Sequence, residues 1–223
     1  MQGLMMNRPL KISDIMTYAA EAYPSAEIVS VRSEGDIHRT NYLDISKRMA
    51  QLAHGLISIG VKPGDRIATL AWNGYRHLEL YYAISGIGAV CHTINPRLSS
   101  DQLTYIVNHA EDLLLFVDLT FVPILEAVKD RLPLEMKIII LTDKKHMPKT
   151  SLKSMCYEEL LKDKPQKINW PDFNEDTAAS LCYTSGTTGE PKGTLYSHRS
   201  TVLHAMMLAI SLPNALKEGK KIL

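Results

Sequence analysis

Apolar residues recur along the first two-thirds of the chain at two different spacings. Between residues 42 and 59 they stand mostly three or four positions apart, and Gly60 follows the last of them. This period places them on one face of a helix, and a glycine just past the last periodic residue is typical of a helix C-cap. Residues 42–59 are therefore predicted to form an amphipathic helix.

Farther along, short runs that are apolar throughout alternate with helical patterns. The predicted strands are residues 66–71, 89–92, 113–117 and 136–141, and the predicted helices lie at about 75–85, just after the Ser99-Ser100-Asp101 cap, and at about 119–131. Strands with two apolar sides are expected where helices cover both faces of a parallel sheet. The pattern predicts an α/β fold with a doubly wound, largely parallel sheet.

Residues 142–177 interrupt this alternation. They are rich in lysine, contain Pro148, Pro165 and Pro171, and offer one helical candidate at residues 156–161. We expect a long, solvated connecting segment rather than a nucleic-acid-binding patch, because the lysines accompany no recognised nucleic-acid-binding fold.

Composition narrows the class of protein. The 223 residues include 25 Lys and Arg against 24 Asp and Glu, so no overall field favours nucleic acid or an anionic membrane. Cys91, Cys156 and Cys182 are odd in number and fit neither a disulfide framework nor a metal-ligand spacing, which favours a cytoplasmic location. The sequence shows no secretory signal and no apolar stretch of about 20 residues, the length that crosses a bilayer. Peripheral membrane contact stays open.

The segment 184–193 carries the candidate chemistry. It reads Thr-Ser-Gly-Thr-Thr-Gly-Glu-Pro-Lys-Gly and lies between an apolar run and a second β-prone run. Glycines let the backbone approach a ligand, hydroxyl and amide groups donate hydrogen bonds, and Lys192 adds a positive charge. Such a hairpin suits a polyphosphate. It is not a Walker loop, because Pro191 rather than glycine precedes the lysine and Gly193 follows it.

The string 184–193 resembles, position for position, the signature of the adenylate-forming (AMP-binding) superfamily. Flanking segments are similar to its medium- and long-chain fatty acyl-CoA synthetase branch: Trp72-Asn73, residues 92–98, residues 108–112 and residues 196–200. The flanking matches are less specific. His109, for example, is read as a helix-face residue rather than a ligand. By this resemblance the chain is the N-terminal part of an AMP-binding domain.

The resemblance implies an acid-thiol ligase that uses ATP, Mg²⁺ and CoA. A carboxylic acid, expected to be a fatty acid, is first joined to AMP with release of pyrophosphate, and the acyl group then passes to CoA. The residues implied in binding the phosphates are Thr184, Ser185, Gly186, Thr187, Thr188, Gly189 and Lys192. Lys192 would offset charge on the leaving pyrophosphate. No metal ligand is assigned.

The family's later segments, which carry the adenine, magnesium and ribose sites and the C-terminal catalytic lysine, are not found in this sequence. We therefore expect a truncated domain without the C-terminal catalytic domain and inactive by itself. The alternative is a non-catalytic α/β module that binds ATP or another polyphosphate, or that acts through protein contacts. A helix expected near residues 201–212 would expose apolar surface and favour self-association.

Overall fold

The computed structural model describes residues 1, 3, 5–184 and 189–212. Its α-helices are α1 (Ile12–Ala22), α2 (Tyr42–Ser58), α3 (Tyr75–Gly86), α4 (Ser100–Ala110), α5 (Val122–Val128), α6 (Tyr157–Leu161) and α7 (His198–Ser211). Its strands are β1 (Glu27–Val31), β2 (Ile37–Asn41), β3 (Arg66–Leu70), β4 (Val90–Thr93), β5 (Leu114–Val117), β6 (Lys137–Ile140), β7 (Ser154–Cys156), β8 (Ala178–Thr184) and β9 (Lys192–Ser197). Short 3₁₀ turns flank α5 and follow β6.

A seven-stranded sheet organises the chain, in the order β7-β6-β5-β3-β4-β8-β9. Every pairing is parallel except the last, in which β9 runs antiparallel to β8. The four strands predicted from sequence are β3, β4, β5 and β6, each within two residues of its expected bounds. β1 and β2 form a separate antiparallel hairpin that the sequence pattern did not predict.

Helices cover both faces of this sheet, which confirms the doubly wound prediction. On β5, Leu114 and Phe116 pack with the core beneath α1, α2 and α3, whereas Leu115 and Val117 pack with the core beneath α4 and α5. Because successive strand residues point to opposite faces, a strand buried on both sides must be apolar at every position. All four residues of β5 are buried.

Local signals fix the helix starts. α4 begins with a capping box in which the Ser99 hydroxyl accepts from the Gln102 backbone and the Gln102 side chain accepts from the Ser99 backbone. α2 begins with Asn41, whose side chain accepts from the Asp44 backbone. At the other end of α4, Glu111 follows the last helical residue and adopts the left-handed conformation with φ 53°.

Residues 142–177 are not solvated throughout, which corrects the sequence-based expectation. They supply the edge strand β7 and the helix α6, from which Tyr157, Leu160 and Leu161 are buried in the core beneath α2 and α3. The lysines dominate the composition, but burial depends on the apolar residues that stand between them. The helical candidate at residues 156–161 is confirmed as α6.

Candidate functional site

The hairpin of β8 and β9 forms one edge of the sheet and carries the candidate phosphate loop. Thr184 pairs with Lys192 across the two strands, so the loop begins and ends at neighbouring positions. Ser185, Gly186, Thr187 and Thr188 lie outside the described residues. β8 runs parallel to β4, so Thr184, at the end of β8, lies at the end of the sheet where the parallel strands have their carboxyl termini.

The described residues of the loop are accessible to a ligand. Thr184, Gly189 and Lys192 are all exposed. Gly189 has φ +83°, a conformation that favours glycine, and a Cβ there would meet open space. Lys192 forms no ion pair within the described part of the chain, so its charge is not committed to a carboxylate. These three residues fit an anionic group.

Tyr183 lies in β8, the strand that leads into the loop. Its hydroxyl lies 2.6 Å from Nδ1 of His109, which is exposed in the last turn of α4. Gly193 stands opposite Tyr183, and a Cβ there would lie 3.2 Å from the Tyr183 Cζ. His109 is a helix-face residue, as the sequence suggested, but its bond to Tyr183 was not foreseen.

Next to Tyr183, a histidine and a carboxylate are paired inside the protein. Nδ1 of His92 lies 2.8 Å from Oδ2 of Asp112, and both side chains are fully buried. The His92 ring lies 5.2 Å from the ring of Tyr183. Burial raises the pKa of Asp112, against the opposing effect of His92. Because both side chains are enclosed by protein, the pair does not face solvent.

An open cleft of about 570 Å³ lies at the carboxyl ends of β3 and β4. It is lined by Asn73, Gly74, His77, Leu78, Tyr81, Tyr82 and Thr93. β4 and β5 lie on opposite sides of β3, so the cleft marks a topological switch point, where doubly wound sheets bind ligands. The Thr93 hydroxyl lies 3.1 Å from Sγ of Cys182 in β8. Thr184 is two residues beyond Cys182, so both side chains lie on the same face of β8.

Sequence reasoning missed this cleft, although the switch point follows from strand order once the order is known. His77 in the cleft lies 3.1 Å from the Thr69 hydroxyl, and burial lowers its pKa. Among the described residues no Asp, Glu, Lys or Arg lines the cleft, so this part of its wall is uncharged near neutral pH. Such a wall suits an apolar or neutral group.

Among the described residues, one group of potential metal ligands brings together Glu34, Asp143 and His146. Glu34 is already bonded to Arg76 and Thr142, and His146 to Asp143. Asp143 and His146 follow β6, which is four strands from β8, or about 19 Å at the usual strand spacing. The group is therefore remote from the phosphate loop.

No helix in the described ranges is long and apolar enough to cross a bilayer. The longest of the helices set out above, α2, has 17 residues.

Known proteins of similar sequence include CoA ligases. The chain is 48% identical over 206 residues to a 3-methylmercaptopropionyl-CoA ligase of Ruegeria lacuscaerulensis, covering 92% of this chain and 38% of that protein. It is 44% identical to a medium-chain-fatty-acid–CoA ligase of Ectopseudomonas oleovorans, covering 94% of this chain and 39% of the relative. The chain thus spans about two-fifths of the length of these relatives.

Solved structures share the fold. An anthranilate CoA ligase in complex with anthranoyl-AMP superposes with a TM-score of 0.80 at 21% identity, covering 91% of this chain and 38% of that one. A long-chain-fatty-acid CoA ligase from Rhodopseudomonas palustris gives 0.77 at 22% identity, covering 92% and 49%. Residues 16–222 match the family described as AMP-binding enzyme. Together with the hairpin at residues 184–193, these matches show that the chain belongs to the AMP-binding enzyme family.

Proposed function

We propose that this chain is the phosphate-binding part of an ATP-dependent acyl-CoA ligase that activates a fatty acid or a related carboxylic acid. The observation that carries the proposal is the exposed Lys192, which forms no ion pair with the residues that the structure describes and stands opposite Thr184 at the ends of the signature loop. Its support is the similarity to relatives named as CoA ligases.

In this proposal the loop binds the β- and γ-phosphates of ATP. Thr184, together with Ser185, Gly186, Thr187, Thr188 and Gly189, would surround them, and Lys192 would offset the negative charge that develops on pyrophosphate as it leaves. Phosphoryl chemistry depends mainly on positioning and charge neutralisation, so a fixed cation at the leaving group is an effective contribution. Mg²⁺ would accompany the bound ATP, and CoA would be the acyl acceptor.

The identity of the acid is a finer proposal. Relatives with 44 to 48% identity are named for a medium-chain fatty acid and for 3-methylmercaptopropionate, both short to medium chains without an aromatic ring. We favour an acid of this kind. A cytoplasmic location agrees with the three free cysteines, of which Cys91 and Cys156 are buried.

The alternative is a non-catalytic module that retains polyphosphate binding. It rests on the same exposed residues of the loop, Thr184, Gly189 and Lys192, because a module that only binds phosphate would also present them to a ligand. Both hypotheses predict that the loop binds pyrophosphate, so binding alone does not separate them. Activity in a full-length context does.

The decisive experiment replaces the matching N-terminal region of the Ectopseudomonas ligase with this chain and measures pyrophosphate release and octanoyl-CoA formation with ATP, Mg²⁺, octanoate and CoA. If the segment serves catalysis, the chimera makes octanoyl-CoA. Lys192→Ala should then lower the rate by about 10²- to 10³-fold, the loss seen when one preorganised charge-stabilising donor is removed.

Lys149→Ala is the matched control, because Lys149 is also an exposed lysine but lies in the connecting segment. A folded chimera that binds pyrophosphate without making octanoyl-CoA would favour the non-catalytic module. A Lys192→Ala chimera as fast as its parent would reject the role given to this lysine.

A further inference from the structure

The strand that leads into the phosphate loop is held from one side by helix α4. Tyr183 directly precedes Thr184, and its hydroxyl lies 2.6 Å from Nδ1 of His109. Either group can donate in this bond, because a neutral imidazole nitrogen accepts from the phenol and a protonated one donates to it. The hydrogen bond joins α4 to β8, between residues that are 74 positions apart in the chain.

The helix that provides His109 is firmly seated. Leu103, Ile106 and Val107 of α4 are buried in the core, and its first turn is closed by the capping box at Ser99. β9 is less enclosed by the described part of the chain. Its exposed residues are Lys192, Gly193, Thr194, Leu195 and Tyr196. The hairpin thus depends on contacts made by β8.

The ring of Tyr183 is enclosed on further sides. It lies over Gly193, where the missing side chain leaves room for it, and 5.2 Å from the buried ring of His92. The pairing of Tyr183 with Gly193 spans the hairpin one step from the pairing of Thr184 with Lys192. A change in the Tyr183 ring position would therefore be passed directly to both ends of the loop.

We propose that the Tyr183–His109 hydrogen bond anchors the hairpin and makes both residues positioning residues for phosphate binding. The inference rests on the proposed function, since it assigns the pair to the same loop. Neither residue needs to touch the phosphates. Tyr183 acts by fixing the backbone at Thr184, and His109 acts by fixing Tyr183.

The test uses the full 223-residue chain with inorganic pyrophosphate as the probe, and calorimetry as the readout. Tyr183→Phe and His109→Ala should each weaken binding by about 3- to 10-fold, the usual worth of one hydrogen bond. The double variant should bind pyrophosphate about as tightly as the single variant with the lower affinity, because both substitutions remove the same hydrogen bond. His109→Asn, which keeps a hydrogen-bonding group near the position of Nδ1, should bind nearly as well as the parent.

Tyr105→Phe is the matched control, because the Tyr105 ring also stacks on His109, with centroids 5.3 Å apart, but lies outside the hairpin. It should leave the affinity unchanged. Thermal unfolding checks that the variants fold equally well, and a loss of affinity without a loss of stability separates positioning from a merely structural role.

Backbone hydrogen exchange over residues 178–184 and 192–197 gives a readout that needs no ligand. Faster exchange in both Tyr183→Phe and His109→Ala supports the anchor, and unchanged exchange overturns it. If the parent chain binds no pyrophosphate, the proposed phosphate site fails, while the exchange result still decides the anchor. Equal pyrophosphate affinity in parent and Tyr183→Phe also overturns the positioning role.

Discussion

Nε of Arg48 lies 2.6 Å from Oε1 of Glu79, a carboxylate whose side chain is completely buried. Arg48 comes from α2 and Glu79 from α3, and the other Glu79 oxygen accepts from the Tyr157 hydroxyl of α6 at 2.6 Å. Burial raises the pKa of Glu79, and the charge of Arg48 opposes that shift. Three helices on one face of the sheet are thus joined through one carboxylate.

Removing the cation should therefore destabilise the fold more than removing the pair. Arg48→Met is expected to lower the free energy of unfolding by about 3 kcal/mol or more, because Glu79 stays buried without the cation that opposes its desolvation. Arg48→Met with Glu79→Gln should recover much of this loss, since the amide is neutral and still accepts from Tyr157. Urea unfolding followed by circular dichroism measures both. Equal losses in the single and double variants would show that packing, not charge, dominates at this position.

Acid should destabilise the protein through His198. Its Nδ1 accepts from the Ile12 backbone at 3.2 Å, and burial, helped by the charge of Lys11, lowers its pKa to about 4. Between about pH 4 and the usual histidine pKa of about 6.5, the unfolded chain binds a proton here that the folded chain does not. Stability contributed by neutral His198 is thus complete above about pH 6.5 and is lost as the pH falls towards 4.

His198→Asn isolates this contribution from the many carboxyl groups that also titrate. Asparagine keeps an acceptor for the Ile12 backbone but does not titrate in this range. The difference in urea midpoint between parent and variant should change steadily between about pH 7 and about pH 4.5, with the parent losing more on acidification. A difference that stays constant with pH would show that His198 does not titrate as proposed.

Gly86, the last residue of α3, should not tolerate a side chain. An added Cβ would lie 2.6 Å from Cζ3 of Trp170, so the indole must move. Alanine is favoured over glycine by about 1 kcal/mol within a helix, but overpacking costs about 1 to 3 kcal/mol. We expect Gly86→Ala to be destabilising, with tryptophan emission shifted to longer wavelength as Trp170 becomes more exposed.

Gly74→Ala is the control for this substitution, because its Cβ would meet only Ser30, at 4.0 Å. It should leave the emission spectrum unchanged. If Gly86→Ala matched the parent in both stability and emission, Trp170 would not be packed against α3 in solution.

Helix α7 exposes an apolar surface, as its sequence led us to expect. Only His198 and Val202 are buried, whereas Met206, Met207 and Ile210 are 50%, 58% and 71% exposed. Self-association of the chain remains a prediction. Sedimentation velocity should show concentration-dependent oligomers, and Met207→Glu with Ile210→Glu should restore the monomer.

Leu134→Glu provides the control for this prediction, since Leu134 is 99% exposed but lies before β6, away from α7. It should not change the oligomeric state. A parent chain that stays monomeric at every concentration would contradict the prediction.

The sequence by itself determined the elements whose signals are local. The three- and four-residue spacing of apolar residues predicted α2 and α3. Uninterrupted apolar runs predicted the strands β3, β4, β5 and β6, because burial on both faces requires an apolar residue at every strand position. The loop at residues 184–193 could also be predicted from sequence, because its glycines, hydroxyl groups and lysine are contiguous in the chain. The high lysine content of residues 142–177 led to the wrong prediction that the whole segment is solvated, because composition does not show which few apolar residues reach the core.

Only the tertiary structure decided which distant residues meet. His109 and Tyr183 are 74 positions apart, and Arg48 and Glu158 are 110 apart, so no local pattern could pair them. Their proximity follows from strand order, which places β8 beside β4 and α6 against α2. Strand order reflects the packing of whole faces of the sheet against helices. It is a property of the folded chain rather than of any one segment.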